Sequence, residues 1–240
     1  MYRGCLQCLF PQNCIYCREP RGGPGEFLCE LCLREVGGIQ SPYCSRCGLP
    51  AEISYDFPTE DFTCAACRKR PFDFDRARSL GRYDTVLKEL ICHLKYQRQP
   101  GAMADIASLL KDHFFTLPEG AYRDFTVSPI PLHFRKMKDR SFDQGFLIAQ
   151  EVARTLRLPF ANGVLRRVKE TDSLAGMTKA ERWKNIRGVF EVDRPERVQG
   201  KDILLVDDVF TTGATGNEAA RMLKKSQAGQ VHVFTLARTI

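Results

Sequence analysis

Three observations put this chain in the α/β class, with a small cysteine-rich domain in front. From Ala77 onward, apolar runs of strand length alternate with amphipathic helical patterns. That alternation calls for a parallel or mixed sheet with helices on both faces. One run, Ile203-Leu204-Leu205-Val206, leads directly into Asp207-Asp208 and then into a loop rich in Thr and Gly. Ten of the eleven cysteines form five Cys-x-x-Cys pairs, and all ten precede residue 70.

The cysteine pairs come first along the chain: Cys5/Cys8, Cys14/Cys17, Cys29/Cys32, Cys44/Cys47 and Cys64/Cys67. Two thiolates on one tight turn can face a single ion, and two such turns complete a tetrahedral zinc site. The residues between the pairs are too polar and too few for a core, so metal is expected to supply the folding energy. Repetition disfavours a redox dithiol, and the even pairing is less typical of an iron–sulfur cluster. Sequential pairing gives Cys14, Cys17, Cys29 and Cys32 for one site. Cys44, Cys47, Cys64 and Cys67 then form the second. A crossed arrangement also satisfies the count, but sequential pairing closes shorter loops. Cys5 and Cys8 are left as a surplus pair. Cys92 falls inside an apolar helical pattern and reads as a core residue.

Pro71-Phe72-Asp73-Phe74-Asp75 marks the boundary, dividing the chain into residues 1–70 and 71–240. Ala77 to Tyr83 is predicted as a strand. Val86, Leu87, Leu90, Ile91 and Leu94 recur at helical spacing, as do Ala102, Met103, Ile106, Leu109, Leu110 and Phe114. Phe125 to Ile130 is a buried strand, Phe146 to Leu156 a helix, and Gly163–Val168 and Val189–Val192 short strands. Ile203–Val206 and Val231–Leu236 flank a last helix, expected from Asn217 to about Ala228 and closed by Gly229. The sequence ends at Ile240 just after a strand, which leaves little to build a lid.

The chain has 240 residues and a net charge of +7. His133 to Gly188 holds thirteen Lys and Arg against six Asp and Glu, which accounts for the whole excess. A mildly basic chain of this kind permits a polyanionic partner without requiring one. No segment approaches the length of a spanning helix, and the N-terminus lacks an apolar core of signal length. The expected compartment is the cytoplasm, where reduced cysteines favour metal over disulfides.

The stretch from Ile203 to Gly216 carries the chemistry. In an open α/β sheet, ligands bind at the carboxyl ends of strands. A helix N-terminus suits a phosphate, and Gly213 and Gly216 let the backbone approach an anion closely. Asp207 and Asp208 would repel that phosphate unless they hold hydroxyl groups instead. A sugar phosphate satisfies both demands. Its ribose diol meets Asp207 and Asp208, and its 5′-phosphate lies in the loop of Thr211, Thr212, Gly213, Ala214 and Thr215. Arg135 and Arg140, on a basic loop after the strand ending at Pro131, are placed to grip a diphosphate through paired hydrogen bonds. Asp143 reads as a helix cap and Lys95 as the basic end of a helix. The polar stretch from Arg166 to Arg187 reads as a mobile flap. There Arg182, Trp183, Asn185 and Arg187 combine cations with an aromatic platform suited to single strands, although Trp183 packed against the sheet fits equally well.

Together these residues resemble the competence protein F family. The likeness rests on Cys44-x-x-Cys47-Gly48-Leu49-Pro50, Leu94-Lys95-Tyr96, and Pro131-Leu132-x-x-Arg135 with Arg140-x-Phe142-x-Gln144. Glu181-Arg182-x-x-Asn185 and the Asp207–Thr215 loop complete it. That loop by itself is similar to the phosphoribosyl-pyrophosphate (PRPP) loop of type I phosphoribosyltransferases. Family members usually carry Asn where this chain has Asp143, and commonly Gln near Ser173; the Cys5/Cys8 pair is not general to the family.

The resemblance implies a type I phosphoribosyltransferase-like sheet behind a double zinc ribbon. It also implies two structural Zn²⁺ ions and PRPP or a related ribose phosphate, bound with Mg²⁺. The implied role is the handling of single-stranded DNA in natural transformation, with a helicase partner and no membrane span. A Mg²⁺-dependent phosphoribosyltransferase acting on a nitrogen nucleophile is the alternative.

Overall fold

The computed structural model describes residues 13–21, 27–51, 62–96, 100–132, 143–169, 171 and 177–240. Its elements are α1 (Glu30–Glu35), α2 (Ala65–Lys69), β1 (Arg76–Arg82), α3 (Thr85–Tyr96), α4 (Met103–Phe115), β2 (Phe125–Pro129) and α5 (Gln144–Leu156). They continue with β3 (Leu165–Arg167), α6 (Lys179–Asn185), β4 (Phe190–Val192), β5 (Asp202–Phe210), α7 (Ala214–Lys225) and β6 (Val231–Arg238).

Four strands form one sheet in the order β1-β6-β5-β2. Every pairing in it is parallel, with Phe125 opposite Asp202, Ile203 opposite Val231 and Ala77 opposite Val233. A parallel sheet must be covered on both faces, and its central strands show it. All of β6 is buried, as are Ile203, Leu204, Leu205 and Val206 of β5. One face packs on α3, α4 and α5 through Leu90, Ile106, Ile148 and Val152. The opposite face packs on α7 and on the small antiparallel pair β3-β4, through Ala219, Leu223, Leu165 and Phe190.

The two faces also divide the cysteines. Cys14 and Cys32 join the apolar cluster of the α3–α5 face, whereas Cys44, Cys47, Cys64 and Cys67 join that of the α7 face. Between the two groups the chain passes along the outer edge of β1. Gly38 pairs with Gly81, and the Ile39 N–H donates to the Leu80 carbonyl. A Cβ at Gly81 would stand 2.9 Å from Leu87 Cδ2 and 3.1 Å from the Gly37 carbonyl. Only a residue without a side chain allows that approach.

Three boundaries around the Thr-Gly loop differ from expectation. β5 runs on to Phe210, so Asp207 and Asp208 lie inside the strand rather than beyond it. As a central strand it keeps its ladder, with Asp207 opposite Thr235 and Val209 opposite Ala237. α7 begins at Ala214 rather than Asn217, because Gly213 at φ 76° turns the chain into the helix at once. The same helix ends at Lys225, and Gln227 at φ 61° makes the exit expected of Gly229.

Candidate sugar-phosphate site and cysteine clusters

The carboxyl ends of β2 and β5 are a switch point. After β2 the chain enters α5 on one face, and after β5 it enters α7 on the other. The two helices thus lie on opposite faces, which makes this the kind of crevice where ligands of open α/β sheets bind. Asp207 and Asp208 stand at its centre. Successive strand residues face opposite ways, so the two carboxylates meet different surroundings.

Asp208 points to the α3–α5 face and is buried. Lys95 Nζ donates to its Oδ1 at 2.8 Å, and Gln144 Nε2 to its Oδ2 at 3.1 Å. Lys95 is thus a partner of the acid pair, beyond the helix-end role its position suggests. Its signal in sequence was a lone cation ending an apolar stripe, which the helix dipole alone would explain. Gln144 likewise carried no signal beyond its place in the family pattern. Asp207 lines a small, open concavity together with Ile130, Thr211, Gly213, Thr215 and Thr235. Its Oδ1 accepts from the Asp208 N–H at 2.8 Å. Burial, and next the charge of Asp208, push its carboxyl up to about 7. That leaves Asp207 able to exchange a proton at neutral pH, while both oxygens of Asp208 are taken.

Asp143 caps α5, accepting from the Phe146 N–H at 3.0 Å, and burial raises its carboxyl. The Thr212 hydroxyl accepts from the Ala214 N–H at 3.4 Å, which shapes the loop from Thr211 to Thr215. The first turn of α7 presents the N–H groups that every helix N-terminus leaves without intrahelical partners. Gly213 sits under two rings: a Cβ there would lie 2.6 Å from Phe210 Cζ and 2.9 Å from Phe72 Cε1. Arg135, Arg140, His133, Ser173 and the Cys5/Cys8 pair lie outside the described residues.

The stretch expected to be a mobile flap contains a formed helix, α6. Thr178 and Glu181 close a reciprocal capping box at its start. Two backbone donors are satisfied there, which is why a polar segment folds locally. Trp183 is half-buried, with the Arg70 guanidinium 3.7 Å over its ring and the Phe72 ring centre 5.8 Å away. It therefore stacks within the molecule, on the segment before β1 and against the apolar cluster of the α7 face. Arg182 Nε donates to the Met177 carbonyl at 3.2 Å, and Asn185 Nδ2 approaches Met177 Sδ at 3.6 Å. Arg187 is exposed beside Glu218, whose carboxyl is lowered. Burial works to raise the Glu218 carboxyl, but bonds from Arg221 and the Gly188 N–H outweigh it.

The cysteines gather sequentially. Cys14, Cys17, Cys29 and Cys32 form one group and Cys44, Cys47, Cys64 and Cys67 another, with all sulfurs of a group within 4.8 Å of one another. A Zn–S bond of about 2.3 Å in a tetrahedron sets sulfurs about 3.8 Å apart. Cys17 and Cys29 Sγ lie 3.6 Å apart, and Cys47 and Cys64 Sγ 3.8 Å. The donor chemistry and spacing fit zinc. Burial tends to raise the Cys14 and Cys44 thiols, yet backbone N–H donors prevail and hold each at about 7. Burial pushes the Cys32, Cys47 and Cys67 thiols up instead, so each cluster mixes readily and reluctantly ionised thiols.

A family profile described as a double zinc ribbon domain matches residues 5–68. One described as a phosphoribosyl transferase domain matches residues 143–239. Competence protein F of Haemophilus influenzae is 30% identical over 239 residues, spanning 95% of this chain and 98% of that protein. The DNA utilization protein YhgH of Salmonella typhimurium is 30% identical over 232 residues, spanning 96% and 98%. Competence protein ComFC of Bacillus subtilis is 29% identical over 222 residues, spanning 90% and 86%. Among solved structures, adenine phosphoribosyltransferase from Leishmania donovani is similar over 60% of this chain and 55% of its own, at 18% identity and a TM-score of 0.35. Among the described residues, no helix is long and apolar enough to cross a membrane. An acid pair on a central parallel strand, a Thr-Gly loop opening a helix and two four-cysteine groups ahead of the sheet thus stand in a chain matched end to end by its relatives: it belongs to the competence protein F family.

Proposed function

We propose that this protein handles single-stranded DNA in natural transformation and binds a ribose 5-phosphate group, such as that of PRPP, in the β5–α7 crevice. The observation that carries the reading is the split acid pair. Asp208 is held by Lys95 and Gln144, so Asp207 is the carboxylate turned to the concavity beside the Thr-Gly loop. In this reading Asp207 accepts a ribose hydroxyl, and Thr211, Thr212, Gly213, Ala214 and Thr215 surround the phosphate. Mg²⁺ supplies charge neutralisation on a diphosphate when one is bound. Arg135 and Arg140 are proposed to share that task. Arg182, Lys184 and Arg187 offer cations to a DNA backbone, with Trp183 bracing their helix from inside. The names of the relatives support the role in DNA uptake; a helicase partner and a cytoplasmic location belong to the same reading. Residues 1–70 and 71–240 are taken as the two functional domains.

One observation favours a second reading, a phosphoribosyltransferase. A carboxyl held at about 7, as Asp207 is, is matched to proton transfer at neutral pH.

Isothermal titration with PRPP and Mg²⁺ tests the site. The unaltered protein should give saturable heat, and Asp207→Asn should lose at least about tenfold in affinity, the equivalent of one charge-assisted hydrogen bond. Binding indifferent to Asp207→Asn would refute the assignment. A mobility-shift series with single-stranded DNA should weaken steeply with salt. Release of pyrophosphate with any nitrogen acceptor would decide for the transferase.

A further inference from the structure

The segment leaving the second cysteine cluster is built into the sugar-phosphate loop. Phe72 lies over Gly213, 2.9 Å from where a Cβ would be. The Phe72 carbonyl accepts from Arg46 Nη2 of the cluster's first turn at 2.5 Å. The next residue, Asp73, makes a reciprocal clamp on the first turn of α7. Its N–H donates to Asn217 Oδ1 at 2.7 Å, and Asn217 Nδ2 donates to Asp73 Oδ2 at 2.8 Å. A second route runs parallel to the first. Arg238 Nη1 donates to the Cys47 carbonyl, and the same guanidinium covers the Phe210 ring at 5.0 Å, the ring that also roofs Gly213. The other cluster has no such connection among the described residues; its turns are held instead by Asp105, which accepts from the Phe27 and Leu28 N–H groups.

We propose that the second cysteine cluster and the sugar-phosphate loop form one coupled unit, with Phe72, Asp73 and Asn217 as positioning residues. A metal ion in the cluster and a ribose 5-phosphate group in the loop then each strengthen the hold on the other. The proposal rests on the site assignment above. The element both sites bias is the short segment from Arg70 to Asp75. The cluster fixes its entry, and the clamp on α7 fixes its exit. Coupling of this kind is reciprocal, so the ligand must slow metal loss as much as the metal favours the ligand.

The test uses the full-length, zinc-loaded protein exposed to EDTA, with pulses of iodoacetamide that alkylate freed thiols. Mass spectrometry reads each cysteine separately, with and without saturating ribose 5-phosphate. Alkylation of Cys44, Cys47, Cys64 and Cys67 should slow roughly fivefold or more, the lower end of typical coupling. That of Cys14, Cys17, Cys29 and Cys32 should not change. In Asn217→Ala the protection should vanish while both clusters still load zinc; should that variant fold poorly, Asp73→Ala breaks the same clamp, and the unaltered protein already decides the point. Ribose 5-phosphate that binds calorimetrically without slowing the second cluster overturns the coupling alone. Equal slowing of both clusters also overturns it, since that is general stabilisation. No calorimetric binding overturns the site assignment and the coupling with it.

Discussion

The two four-cysteine groups share a ligand set and a spacing, yet they do different work because they dock on different faces of the sheet. The first sits against α3 and α4. Leu28 is fully buried there, and Asp105 ties the adjoining backbone. The second sits against β1, where the Ala77 N–H donates to the Arg46 carbonyl at 2.7 Å, and reaches the crevice through Phe72 and Arg238. Under the proposed coupling, identical chemistry serves as a staple in one place and as a support for the proposed binding loop in the other. What distinguishes them is their neighbours, which spacing alone does not encode.

The comparison breaks most sharply under metal loss. Structural zinc is worth on the order of 10 kcal/mol to a small site at neutral pH. Cys67→Ala should lower zinc from about two ions per chain to about one and weaken PRPP binding roughly fivefold or more in calorimetry. Cys32→Ala should lose the same metal and keep the affinity. If both variants lose binding alike, the distinction between the clusters fails.

Lys95→Met comes next. It strands Asp208 without its cation, and breaking one side of a buried pair costs about 3–5 kcal/mol. Urea denaturation should show that loss, and Lys95→Met combined with Asp208→Asn should recover most of it. Since neither change touches a cysteine of either group, zinc content should stay unchanged in both.

Asp105→Ala should be milder, at about 2–3 kcal/mol for two orphaned buried donors. Its effect should fall on the first cluster. Thiol alkylation should quicken at Cys29 and Cys32, with the second cluster and PRPP binding left as they were.

The most gradual effect, spread over several pH units, is one of pH. Burial holds both His113 and His232 down at about 4. They stay neutral in the folded chain, while the unfolded chain binds protons on them near 6.5. The unfolded state thus holds more protons between about pH 6.5 and 4, so stability falls as pH drops through that window. The slope is at most about 1.4 kcal/mol per pH unit for each group. Thermal melts across the window should flatten in His113→Phe, which sits beside Phe114 and Phe234.

Much of this was legible beforehand. Regular periodicity gave the strands of the sheet and the helices α3, α4, α5 and α7 that cover it, whereas the short helices α1, α2 and α6 carry no long apolar stripe and went unread. The sequential grouping of the cysteines followed from loop length. What stayed hidden depended on distant chain meeting chain. Lys95 and Asp208 are far apart in sequence, and nothing in either neighbourhood names the other. Trp183 carried the right composition for a stacking platform, but Arg70 and Phe72 reach its ring from another part of the chain. The continuation of β5 through two charged residues was equally opaque, since only the neighbouring strand keeps such residues in the ladder.

The passage of the chain along β1 has a consequence for any attempt to trim the protein. Gly38 and Ile39 occupy the flank of the outermost strand. Removing everything before Phe72 would bare the backbone groups of β1 that this segment covers at the edge of the parallel sheet. Bare flanks of that sort template pairing between molecules. A chain shortened to residues 72–240 is thus expected to clump, and light scattering beside the full chain checks it.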